Sequence, residues 1–79
     1  MGQIYLASGS SCSEEHTTTG VLVDPSAADW VCVIQDSSGN TVFSARGNTA
    51  TAFYAPVKIT ADAFNITTAT NLTGVVLYT

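Results

Sequence analysis

Charge is the scarcest property of this sequence. Only 10% of its 79 residues are Asp, Glu, Lys or Arg, against about 25% in an ordinary soluble domain. The basic residues are Arg46 and Lys58 alone. Nucleic-acid affinity comes from lysine and arginine displacing counterions from phosphates, and two such residues cannot supply it. The same shortage argues against attachment to anionic lipid. No nucleic acid and no membrane is therefore expected as a partner.

Chemistry-bearing side chains are just as thin. His16 is the one histidine, and Cys12 and Cys32 are the only cysteines. Strong zinc sites repeat a close ligand pair twice; Cys12, His16, Cys32 and Glu14 offer no second pair, so no metal is expected. A Ser–His–Asp triad can be written for any chain with many serines and several acids, so that abundance carries no weight. Glu14 and Glu15 are adjacent, which on a strand sends them to opposite faces and not to the paired arrangement of a retaining glycosidase. Gly9, Gly20, Gly39, Gly47 and Gly74 are dispersed and form no phosphate-cradling loop. The expectation is a chain with no catalytic residue, no cofactor and no enzymatic activity, in which His16 is an ordinary exposed surface histidine.

No apolar run reaches the length of a membrane span, and no charged-then-apolar leader opens the chain. Met1-Gly2 fits the start of a myristoylation signal, but Leu6 stands where that signal needs Ser or Thr. A soluble chain starting at its own Met is expected. A Cys12–Cys32 disulfide would close a loop of about twenty residues and contribute roughly 3 kcal/mol. Without a secretory leader the preferred reading is two free thiols, one packed as a small hydrophobe. By the same reasoning the sequons Asn65-Ile66-Thr67 and Asn71-Leu72-Thr73 are expected to stay unmodified.

What the chain does have is hydrophobic residues, 46% of the total, set among Ser and Thr. Seventy-nine residues make one domain, and a domain this small has little margin between apolar burial and ordering entropy. Oligomerisation is the best-placed compensation. Helical periodicity is nearly absent; one short turn of helix at residues 25–29, capped by Asp24, competes with a plain turn. Alternating strand patterns recur instead. Ile4 and Leu6 share one face of residues 3–7, and residues 17–19 extend through Gly20 into Val21-Leu22-Val23. Residues 30–36 are apolar on both faces, with Trp30, Cys32 and Ile34 opposite Val31 and Val33, as in a central strand. Residues 37–40 are a turn that makes a hairpin with the strand ending at Gly47-Asn48. Residues 51–54 are a short strand, Val57 and Ile59 flank Lys58 in an edge strand begun by Pro56, and Phe64 and Ile66 alternate. In the last strand, residues 72–79, Leu72, Gly74, Val76 and Tyr78 share a face. The fold class is all-β: a compact β-sandwich or small barrel of seven to eight short, mostly antiparallel strands, forming a single domain over residues 1–79.

The aromatic residues are Tyr5, Trp30, Phe43, Phe53, Tyr54, Phe64 and Tyr78. Most lie in alternating runs with Val, Ile and Leu, the pattern of a core, although exposed rings would offer a platform for sugars. Phe53 and Tyr54 are adjacent and must face opposite ways, so one of them is exposed and is an interface anchor. The interface candidates are Tyr5, Phe53, Tyr54 and Tyr78.

Taken whole, the chain resembles small β-rich virion proteins of tailed bacteriophages, in particular capsid decoration (cement) proteins. The resemblance lies in the Met start, the Ser/Thr/Ala/Val richness and the few Lys or Glu. It lies also in the ending, Pro56-Val57-Lys58-Ile59-Thr60 through Phe64-Asn65-Ile66 to Gly74-Val75-Val76-Leu77-Tyr78. It implies a structural protein on the outer surface of the virion head, made in the host cytoplasm. Its partner would be the major capsid protein, its own state a homo-oligomer, most often a trimer, and its role to brace the shell by bridging capsid subunits. Strand addition by a terminal segment, residues 2–7 or 72–79, is one expected mode of attachment. The alternatives are a tail, baseplate or fibre component, and a carbohydrate-binding or adhesin-like β module.

Overall fold

The chain passes from one sheet to another at eight of the nine connections between its strands, and that behaviour organises the fold. A computed structural model of the chain describes residues 2–79. Ten strands are formed: β1 Gln3–Ala7, β2 Ser11–Cys12, β3 His16–Thr17, β4 Gly20–Pro25, β5 Trp30–Gln35, β6 Thr41–Gly47, β7 Phe53–Ala55, β8 Thr60–Ala61, β9 Phe64–Thr70 and β10 Leu72–Tyr78. The first sheet runs β1-β10-β4-β7, the second β2-β9-β5-β6, and β3 pairs with β8 alone. Every pairing is antiparallel.

The all-β sandwich expected from the alternating patterns is present, with ten strands in place of seven or eight. The excess comes from the polar stretch 8–19, which contributes the two-residue strands β2 and β3. Residues 57–59 are not a strand. Thr18 holds them instead: its Oγ1 donates to the Val57 carbonyl and accepts from the Ile59 N–H, each at 3.1 Å. Its own N–H donates to the Ile59 carbonyl at 2.8 Å. Thr18 is the buried polar residue of the described chain, and its hydroxyl does for this segment what a neighbouring strand would do.

The core lies between the two sheets. Leu6, Val21, Val23, Leu72, Val75 and Leu77 come from the first sheet and Trp30, Cys32, Ile34, Phe43, Phe64 and Ile66 from the second. The central placement of residues 30–36 holds, since β5 is paired on both sides, by β9 and β6. Its outward Val31 and Val33 are half-buried. The turn after it is built on Asp36, whose Oδ1 accepts from the N–H groups of Ser38 and Asn40, both at 2.9 Å, a local carboxylate bridge that favours the turn.

Residues 26–29 form a bend and no helical turn. They cross from the first sheet to the second, and Asp29 takes φ +57° to do so. The reverse crossing, from β9 to β10, is made at Asn71, with φ +53°. Asn71 binds the two crossings together: its Nδ2 donates to the Ala28 carbonyl at 2.8 Å, and its carbonyl accepts from the Ser26 N–H at 2.8 Å.

The last strand departs from simple alternation. A bulge between Leu72 and Gly74 adds one residue and turns Leu72 inward with Val75 and Leu77. Gly74, Val76 and Tyr78 keep the outer face, so Leu72 does not share a face with them. Nor does β10 have a free side, because it lies between β1 and β4. Of the two terminal segments considered for strand addition, only β1 lies at a sheet edge.

Candidate functional site

The outer faces of the two sheets differ in chemistry. On the second sheet the register sets Thr68, Val33 and Ser44 in one row and Thr70, Val31 and Arg46 in the next. Ser11, Asn65, Gln35 and Thr41 make a third. This face is dominated by hydroxyl and amide groups, which water solvates well.

The first sheet is the opposite. Its register places Tyr5 against Val76, Val76 against Leu22, and Leu22 against Tyr54. These four residues form one unbroken row across all four strands. Alternation fixes their direction, because the residues between them, Leu6, Val75, Val21 and Ala55, are in the core. Tyr5 is 56% and Tyr54 52% exposed. Leu22 and Val76 are half-buried beneath their neighbours.

Tyr78 extends the patch into the next row, between Gln3 and Gly20. The Tyr54 and Tyr78 rings meet edge to face with centroids 6.0 Å apart, a favourable aromatic geometry. Two rings lie down on the sheet because glycine lets them. The Tyr54 ring occupies the space a side chain on Gly20 would need, and the Tyr5 ring does the same over Gly74. The Tyr5 hydroxyl donates to the Thr73 carbonyl at 3.3 Å. Asp24 is the charged residue of this face, beside Gly74 at its margin.

Three of the four interface candidates, Tyr5, Tyr54 and Tyr78, thus come together on one surface. Phe53 does not. Its register partner is the buried Val23, so it points to the inner side of β7, where it packs on Trp30 at a centroid distance of 5.9 Å. It is 43% exposed because β7 is the sheet's edge. The expectation that most rings are core is corrected here: Trp30, Phe43 and Phe64 are buried, whereas the three tyrosines line the outside. Leu22 and Val76 belong to the site as well. Neither was legible as outward from the sequence, and without the strand order nothing set them in line.

An open depression of about 540 Å³ lies elsewhere, bounded by Asp29, Trp30, Val31, Arg46, Gly47 and Asn48. The Trp30 ring is only 3% exposed, packed over Gly47, and presents no face for stacking. His16 is half-buried in β3, opposite Ala61, and not fully exposed as expected. Cys12 and Cys32 are both free thiols, and burial pushes the Cys32 thiol up to about 11. No group of three or more His, Cys, Asp or Glu side chains among the described residues could hold a metal ion. Asp62 accepts from the Ser37 hydroxyl and from its N–H. Those bonds, the hydroxyl's first, hold its carboxyl below the usual range.

Comparison with protein-family models, with curated protein sequences and with solved structures finds no match for this chain.

Proposed function

We propose that this chain is a non-catalytic docking module that lies by its tyrosine face on a larger protein assembly. The observation that carries the proposal is the row Tyr5–Val76–Leu22–Tyr54 across one outer face. Tyrosine delivers a large apolar area with little entropy to lose, and it is enriched at the centres of protein interfaces. The opposite, hydroxyl-rich face is the one that stays in water. A two-sided slab of this kind, 17 Å in its thinnest dimension, is suited to covering a surface.

The assembly we favour is the head of a tailed bacteriophage, in keeping with the resemblance to decoration proteins. The partner is then the major capsid protein, offering a flat, mainly uncharged apolar patch where its subunits meet. Matching that patch needs no ion pairs, which agrees with a contact face whose one acid, Asp24, sits at the margin. Holding adjacent subunits together would brace the shell, and the protein would travel on the virion surface after synthesis in the host cytoplasm.

The test is co-sedimentation of the purified chain with shells assembled from the major capsid protein of the same genome. Saturable binding that is lost in a Tyr5→Ser, Tyr54→Ser double variant supports the proposal. Failure to bind shells at tens of micromolar would discard it (about 7 kcal/mol is the least such a contact must supply), and binding to tails would move the protein to a tail, baseplate or fibre. A second reading, a carbohydrate-binding or adhesin-like module, draws on the same two rings, since sugars stack on exposed aromatic faces. Glycan binding by the isolated chain, abolished by either single Tyr→Ser change, would favour it.

A further inference from the structure

The edge of the sheet beside this face has a self-complementary pattern of open backbone groups. β1 pairs with β10 on one side only. The Thr79 N–H donates to the Gly2 carbonyl at 2.9 Å, and the Ser8 N–H to the Thr73 carbonyl at 3.1 Å. In an antiparallel ladder, hydrogen-bonded and non-bonded pairs alternate along the strand. Gly2, Ile4, Leu6 and Ser8 therefore aim their backbone groups at β10, and Gln3, Tyr5 and Ala7 aim theirs outward. The Ala7 carbonyl already accepts from the Ser10 N–H at 2.9 Å. Among the described residues, what stays open is the N–H of Gln3, Tyr5 and Ala7 and the carbonyl of Gln3 and Tyr5.

Nothing on β1 protects that edge. Exposed edges are normally guarded by a charge, a proline or a bulge. Gln3-Ile4-Tyr5-Leu6-Ala7 has neither charge nor proline, and its register with β10 is unbroken. The Tyr5 ring leans inward over Gly74 and leaves the edge clear.

We propose that β1 pairs with β1 of a second copy across a two-fold axis at Tyr5, joining two first sheets into one of eight strands. Tyr5 is the middle residue of the strand, so the symmetric register sets Tyr5 against Tyr5, Gln3 against Ala7 and Ile4 against Leu6. Each Tyr5 N–H donates to the other Tyr5 carbonyl, and each Ala7 N–H to the Gln3 carbonyl of the other copy. All four bonds use groups that are open in the single chain. A slip by one residue would set outward-aimed groups against groups already spent on β10 and throw Ile4 and Leu6 onto the wrong face. In this register the open donors and acceptors of β1 meet those of its own copy about a symmetric centre, which favours a second copy over a foreign strand.

The pair is weak by itself and has a use. A strand of about 17 Å on a slab 17 Å thick buries roughly 300 Å² per copy, well short of the ~800 Å² of a standard interface. Pairing is then concentration-dependent in solution. It also lines up two tyrosine rows, Tyr54–Leu22–Val76–Tyr5 meeting its mirror order, on one continuous face. If the docking reading above holds, the joined face binds bivalently, and the second contact comes at high effective concentration.

The experiment is amide hydrogen exchange of the full chain by NMR, at dilute and at millimolar concentration, with native mass by light scattering. The expected result is a dimer at high concentration, with Tyr5 and Ala7 amides slowed about tenfold or more relative to the dilute sample. Ile4 and Leu6 amides, held by β10, should be protected in both. Ala7→Pro removes an outward N–H and none of the β1–β10 bonds, so it should abolish the dimer and keep the dilute-state melting curve. Tyr5 and Ala7 amides that exchange equally fast at both concentrations would overturn the proposal. So would a trimer, or protection that appears only when capsid shells are added. Tyr54→Ser, on the far edge of the sheet, should leave the dimer intact while weakening docking, so failure of one reading is distinguishable from failure of the other.

Discussion

The ring of Tyr5, on β1, lies across Gly74, on β10, and a side-chain carbon built at Gly74 would stand 2.7 Å from the Leu6 carbonyl oxygen. That oxygen is backbone and cannot swing aside. Gly20 differs, because the space above it is filled by the Tyr54 side chain alone. Gly74→Ala should therefore cost about 1–3 kcal/mol as β1 and β10 are forced apart. Gly20→Ala should lift the Tyr54 ring and change stability by less than about 1 kcal/mol. Urea unfolding of the two variants checks the contrast; equal losses would show that both rings are held alike.

Thr18 offers a sharper test of what holds residues 57–59. Thr18→Val keeps the shape but leaves the Ile59 N–H without the hydroxyl it donates to, and the Val57 carbonyl without its donor. The expected loss is about 2–3 kcal/mol, with faster amide exchange at Ile59. Thr18→Ser retains both bonds and should recover most of that loss. A Ser variant as unstable as the Val variant would assign the effect to packing of the methyl group.

These two cases mark how far the sequence could be read. The alternation of Trp30, Cys32 and Ile34 against Val31 and Val33 was enough to identify a central strand, because period-two burial is a local property. Tyr54 was an interface candidate for the same reason: its neighbour Phe53 had to face the other way. The partners that complete the site were not legible, since Leu22 and Val76 become neighbours of Tyr54 and Tyr5 only through the strand order β1-β10-β4-β7. Residues 57–59 have a strand's pattern but are held by the hydroxyl and the N–H of the single residue Thr18, and the bulge at Leu72/Gly74 undoes alternation where no proline or charge announces it. Pairing order and bulges are long-range facts, and alternation carries no record of them.

Asn71 is the corner at which β9 leaves one sheet and β10 enters the other. Its φ of +53° costs most side chains roughly 1 kcal/mol and glycine little. Its amide also ties down Ala28 and Asp29, at 2.8 and 3.3 Å. Asn71→Ala should lose both contributions, about 1–2 kcal/mol in all, and Asn71→Gly should lose only the second. A ranking of wild type above Gly above Ala in denaturation midpoint is expected. If Gly matched the wild type, the side-chain bonds would add nothing to the corner.

Cys32 governs stability in alkali. Its thiol is fully enclosed and is raised from an ordinary 9.0 to about 11 by desolvation. As pH climbs past 9, the unfolded chain gives up this proton first, so unfolding releases a proton and stability falls with pH. The contribution is intact below pH 9 and is lost as pH rises toward 11, on the order of 2 kcal/mol over that window. Cys32→Ala should flatten this slope, at the cost of a small uniform loss from the vacated volume. The same burial predicts the labelling pattern at pH 8, since the thiolate is the nucleophile. A maleimide should modify one thiol per native chain, at the half-buried Cys12, and reach Cys32 only as the chain unfolds. Labelling of Cys32 in Cys12→Ser at the rate of a free thiol would mean that β5, the central strand of the second sheet, opens far more readily than its pairing on both sides allows.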